Sequence, residues 1–334
     1  MLFAILVIRL YRAGLDFWRS WRRKQFQPWV DSLIISTGTL PLKAAPVFPG
    51  DRDVIEELLV LNFRVVTGPV KEQAVEEAEK LGLVERRIIQ LGGKNIQTVA
   101  YAIAQLGKLG SKRAVDALIV ILRSGPAETR TPAAKALGRI GDIRAAVPLI
   151  EALDSAQGWV GNPVEQAIID LGESAIPALL HSLDSDTPGR AKAVEVLGRI
   201  GAISAAPRMR ELLAQGSDPL LCVKAAEALG RLKDPEASLS LRQGLHSPSR
   251  EVRVESARAM GRIGDPSACG DLEDSLNDRY WWVQLRAAEA LSKLGEQGRE
   301  ILKKNSSHPD PGISSLSSEM LNISRSGAKA CWRL

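Results

Sequence analysis

The stretch "ALGRIGDIRAAVPLIEALDS", residues 136–155, nearly recurs as "VLGRIGAISAAPRMRELLAQ" from Val196, "ALGRLKDPEASLSLRQGLHS" from Ala228 and "AMGRIGDPSACGDLEDSLND" from Ala259. Aligning on its first glycine gives Gly107, Gly138, Gly172, Gly198, Gly230, Gly261 and, with serine in its place, Ser292. The intervals are 31, 34, 26, 32, 31 and 31 residues. A period near 31 belongs to stacked supersecondary units, not to one globular core.

Each unit reads as two helices. The first carries a small residue five positions before the anchor (Ala102, Ala133, Ala167, Ala193, Ala225, Ser256, Ala287). The second has apolar residues at helical spacing, such as Ala146, Leu149, Ile150 and Leu153. An anchor glycine inside a helix costs about 1 kcal/mol relative to alanine. Its repetition therefore calls for a packing reason: close approach of neighbouring helices that share one continuous core. A second glycine three residues on (Gly110, Gly141, Gly201, Gly264, Gly295) suits the left-handed end of a helix. Asp-Pro after Lys233 and after Gly264 suits the start of the next.

The pattern V-R-x-x-A-x-x-A-L-G-x-I-G-D-P, nearly complete in "EVRVESARAMGRIGDP" (251–266), resembles HEAT repeats of the phycobilisome-lyase-like class. The resemblance covers about 95–305 and implies an all-α solenoid of helical hairpins. The unit at 157–184 departs most, with Val164 where Arg130, Arg190 and Arg253 stand elsewhere and Glu173 for the usual basic residue.

Charge is concentrated at the start. Residues 1–30 hold Arg9, Arg12, Arg19, Arg22, Arg23 and Lys24 against Asp16, an excess of +5 that equals the formal net charge of the whole chain. Basic character confined to one terminal segment does not point to nucleic acid. As a helix this segment sets Arg9, Arg12, Asp16, Arg19 and Arg23 on one stripe, with Leu2, Phe3, Leu6, Leu10, Phe17, Trp18 and Trp21 around the rest. Only seven apolar residues follow Met1 before Arg9, too few to span a bilayer, which takes about 20. A helix associating with the membrane interface through residues 1–26, on the cytoplasmic side of the inner membrane, is the expectation. The alternatives are a long helix packed against the rest of the chain and a cytoplasmic protein.

The expected organisation is a membrane-associating helix (1–30), a linker (31–50), an amino-terminal helical cap (51–94), the solenoid (95–305), and a polar cap with a disordered tail (306–334). The whole arrangement also resembles a bacterial group of membrane-anchored HEAT-repeat proteins, and that resemblance implies a membrane glycosyltransferase complex of polysaccharide synthesis as partner.

Chemistry is sparsely signalled. Cys222, Cys269 and Cys331 have no metal-ligand or disulfide spacing. His181, His246 and His308 lack the adjacent glutamates of HEAT-fold deoxyhypusine hydroxylases. Phosphate loops and the common hydrolase motifs are missing. The expectation is a protein-binding scaffold with no cofactor and no small-molecule substrate, the alternative being bilin attachment or a related protein-modifying activity, which the repeat class implies. Candidate partner-binding residues are the basic side chains after each anchor, Lys108, Arg139, Arg199, Arg231, Arg262 and Lys293, together with Trp159, Trp281 and Trp282. The same cations also fit a purely structural role, complementing helix carboxyl ends or pairing with Glu195, Glu227 and Glu289.

Overall fold

The computed structural model describes residues 2–35, 50–63, 66, 68–155, 161–184 and 189–326. Among them there are helices and turns but no strands. The chain forms two compact units, Met1–Leu171 and Gly172–Leu334. The first contains α1 (Leu2–Ile35), α2 (Asp51–Asn62), α3 (Pro69–Lys80), α4 (Leu83–Leu91), α5 (Ile96–Leu109), α6 (Val115–Ser124), α7 (Ala127–Ile140), α8 (Ala146–Ser155) and α9 (Gly161–Leu171). The second contains α10 (Ile176–Ser182), α11 (Arg190–Ile200), α12 (Ala206–Gln215), α13 (Pro219–Leu232), α14 (Ser238–Leu245), α15 (Arg250–Ile263), α16 (Cys269–Ser275), α17 (Trp281–Lys293), α18 (Gly295–Asn305) and α19 (Pro311–Ser326).

Local chemistry makes the hairpins. α5 ends where Gly110 turns left-handed at φ +75° and its N–H returns to the Leu106 carbonyl. The Ser111 hydroxyl then accepts from the Arg113 N–H and opens a 3₁₀ turn that feeds α6. Asp142, Asp234 and Asp265 do the same for the following hairpins, so the Asp-Pro pairs begin a 3₁₀ turn before the α-helix proper. At the end of α13 the left-handed position is held by Lys233, φ +52°, the one non-glycine with positive φ among the described residues.

The anchor glycines work as notches. A Cβ at Gly107 would lie 2.7 Å from the Ala136 Cα, and one at Gly138 the same distance from the Ala167 Cα. In the second unit Gly198, Gly230 and Gly261 meet Ala228, Ala259 and Ala290 at 2.7–2.9 Å. The facing alanine always precedes its own anchor by two residues, so that α5 packs on α7, α7 on α9, α11 on α13, α13 on α15 and α15 on α17.

This geometry corrects the sequence register in the divergent unit. Ala167 faces Gly138 as Ala136 faces Gly107, which makes Ile169, and not Gly172, the residue at the anchor position. Gly172 is left-handed at φ +60° with open space where a Cβ would stand, the role of Gly110 and Gly141. The intervals become 31, 31, 29, 32, 31 and 31, and the position after the anchor is Asp170, an acid. The two compact units part immediately after this notchless helix.

As the short apolar run implies, no helix among the described residues is long and apolar enough to cross a membrane. The amino-terminal helix departs from expectation in its extent and packing. α1 continues to Ile35, into the stretch read as linker, and packs on α2 and α3. Phe26 and Val30 are buried there, and Arg22 pairs with the buried Asp51 (Nε–Oδ1 2.6 Å) while its guanidinium stacks on Phe26. Between α2 and α4, Arg87 donates to both carboxylate oxygens of buried Glu56. At the other end, α19 buries Ile313, Leu316 and Met320 and contacts α17 and α18.

Candidate functional site

The basic residues after the anchors have different surroundings in the two units. In the second, acids on the same row of helices take up much of the charge. Arg231 pairs with Glu227 at 2.7 Å, and Lys224 bridges Glu195 and Glu227. Burial pushes the Glu195 carboxyl up, but hydrogen bonds from Lys224 and Lys192 outweigh it and the net shift is downward. Glu227 is likewise held low, by Arg231 and Lys224 against burial. Arg262 lies half-buried, 3.8 Å from Glu255, and its guanidinium is pulled below its ordinary value by burial and by Arg258. Burial pushes Glu255 up. Arg199 and Lys293 are exposed.

In the first unit the two remaining members, Lys108 and Arg139, are exposed and carry no ion pair or hydrogen bond among the described residues. Together they line an open cavity of about 310 Å³ with Lys71, Val60 and Phe63. One difference is readable in the sequence: the helix position that gives Arg231 its partner Glu227 holds Ala104 and Lys135 in the first unit.

Trp281 and Trp282 open α17, each 47% exposed, with ring centroids 4.8 Å apart in an edge-to-face arrangement. Arg286 lies over the Trp282 ring, and Arg250, Arg253 and Arg279 surround the neighbouring Tyr280. Arg253, beside Tyr280, is itself fixed by Asp278, 2.7 Å away, and by the Ser247 carbonyl. Trp159 lies outside the described residues.

The residues expected to contact a membrane divide. Trp18 is half-buried over Gly50, and Arg23 pairs with Glu57, so both serve the packing of α1. Phe17 and Trp21 are exposed, at 75% and 48%, and so is Arg19. Leu2, Phe3, Leu6, Arg9, Leu10 and Arg12 belong to α1, and their side chains lie outside the described residues.

Cys222 and Cys269 are buried free thiols whose ionisation burial suppresses, which disfavours the nucleophilic thiolate. His181 is exposed in the last turn of α10, and His246 caps the end of α14. Sequence reasoning missed the pairs that join successive repeats, such as Arg144–Asp116 (3.0 Å), Arg123–Glu151 (2.8 Å) and Arg242–Asp271 (2.9 Å). Their separations of 28 or 29 residues, one repeat less two or three, were the available signal.

No curated protein sequence matches the chain. Among solved structures, the complex of CpcE and CpcF of phycocyanin lyase from Nostoc sp. PCC7120 is similar at 25% identity, covering 70% of this chain and 94% of that one with a TM-score of 0.34. Human deoxyhypusine hydroxylase aligns at 19% identity over 84% of this chain and all of that one, TM-score 0.34. A mutant of Kap121p aligns at 12% identity over 82% of this chain and 38% of that one, TM-score 0.55, a likeness of fold. The family model for HEAT repeats matches residues 84–169, 174–246 and 238–316. With most of its length matched and its hairpins stacked through repeated glycine notches, the chain belongs to the HEAT-repeat family.

Proposed function

We propose that this chain is a protein-binding scaffold that acts without catalysis and works at the cytoplasmic face of a bacterial inner membrane. The observation that carries the binding reading is the Trp281–Trp282 pair, two large side chains held half out of the surface edge to face, with Arg286 over the Trp282 ring. Tryptophan and arginine are enriched among residues that dominate binding energy, and a rigid aromatic loses little entropy when covered. Affinity capture by the full chain from detergent-solubilised membranes tests it. Trp281→Ala/Trp282→Ala is expected to lower recovery of the specific partner on the order of tenfold, the loss of a hot spot. Undiminished recovery counts against the pair. A membrane glycosyltransferase complex, which the sequence resemblance implies, is the first partner to look for.

The membrane reading rests on the part of α1 that the packing leaves over. Leu15, Phe17 and Trp21 are exposed beside Arg19 and Lys24, and the helix continues toward the amino terminus through the apolar run Leu2–Ile8. Exposed aromatic and basic side chains on one helix suit an anionic lipid surface. Flotation with phosphatidylglycerol-containing vesicles is the check: Phe17→Asp/Trp21→Asp should move the full chain from the floated to the soluble fraction, and an unchanged distribution would remove this role from α1.

A further inference from the structure

The cavity bounded by Lys71, Lys108 and Arg139 has a neighbour. A second cavity of about 150 Å³, lined by Ala104, Pro132, Lys135 and Arg139, shares Arg139 with the first. The two run from α2 and α3 across α5 to α7, entirely within the first compact unit. Four cations border them, and no acidic side chain is among their described lining residues. None of the four has an ion pair or hydrogen bond among the described residues, although arginines of the same unit such as Arg113, Arg123 and Arg144 are all paired. Between the cations lies an apolar patch, Val60 and Phe63, both half-buried.

We propose that this groove binds an extended acidic segment of a partner protein, with carboxylates on Lys71, Lys108, Arg139 and Lys135 and an apolar side chain of the segment against Val60 and Phe63. Cations gathered without counter-charges repel one another, and an anionic ligand relieves that repulsion while gaining charge-assisted hydrogen bonds. The shape favours a segment over a single anion. One phosphate or carboxylate would fill a fraction of the larger cavity and leave Lys135, in the smaller one, and the apolar patch uncovered. This site is independent of the Trp281–Trp282 pair, which lies in the other unit.

The test is fluorescence anisotropy on the full chain with a labelled decapeptide of Asp and Glu carrying one central Leu, at low salt. The expected result is saturable binding that the Asn/Gln counterpart peptide does not show. Lys108→Gln/Arg139→Gln should weaken it at least roughly tenfold, about 1.4 kcal/mol. Lys71→Gln/Lys135→Gln, on other elements of the same groove, should act in the same direction. Arg231→Gln/Lys293→Gln, in the second unit, and Trp281→Ala/Trp282→Ala should each leave the affinity within about twofold, a change below the energy of one charged hydrogen bond. Unchanged melting temperatures keep loss of fold out of the comparison. The proposal fails if the neutral peptide binds equally, if the second-unit charge variant weakens binding as much as the groove variants, or if inorganic phosphate displaces the peptide at matched concentration, which would mark a small-anion site.

Discussion

At the scale of single residues, the fold rests on a glycine facing an alanine. At Gly230 an added Cβ would sit 2.8 Å from the Ala259 Cα, so backbone and not a flexible side chain blocks it. Gly230→Ala gains about 1 kcal/mol of helix propensity but overpacks the contact, which costs about 1–3 kcal/mol or more. We expect a net lower melting temperature, read by calorimetry, whereas Gly270→Ala, which meets nothing within 4 Å in α16, should be neutral or stabilising. Lys233 presents the converse case. An exposed lysine in a left-handed conformation carries a penalty of about 1–2 kcal/mol. Lys233→Gly should therefore raise the melting temperature, and a lower one would contradict this reading of the helix end. The glycine phrase was legible in the sequence because chemistry and period coincide. The register of the divergent repeat was not, because Leu171-Gly172 imitates the anchor, and it takes the contact of Ala167 with Gly138 and the positive φ of Gly172 to reveal the other role.

At the scale of elements, charge pairs tie the helices of the second unit into a row, and they titrate. Glu195 and Glu227 lie below the ordinary glutamate value in the folded chain, so the unfolded chain takes up their protons at higher pH. Their stabilisation is complete above about pH 4.3 and is lost as pH falls through the lowered values. Glu255, shifted upward, has the opposite sign: its ionised form opposes folding above the raised value, and the opposition fades as pH falls through it. Glu195→Gln/Glu227→Gln should lower thermal stability at neutral pH and flatten its decline as pH falls below about 4.3; an equally steep decline would assign acid sensitivity elsewhere. The pattern of α1 was legible, but its use was not. A wide apolar face with arginines suits both lipid and a neighbouring helix, and it was Asp51 that decided for packing from Trp18 to Val30, by giving Arg22 a buried partner.

For the whole molecule, each compact unit offers a different surface: a cationic groove in the first, and in the second a tryptophan pair beside Arg286. The all-α repeat fold could be read from period and punctuation alone. The surfaces could be read only in part, since the cations after each anchor look alike in sequence until the helix position facing them proves to hold Glu227 in one unit and Ala104 or Lys135 in the other. The central claim is that this protein acts by binding a partner at the tryptophan face. Hydrogen exchange of the full chain, alone and with the partner recovered from membranes, tests it most directly. The account predicts slowed exchange of the amides from Asp278 to Leu285 in the complex, and identical exchange across that segment with the partner bound would contradict it.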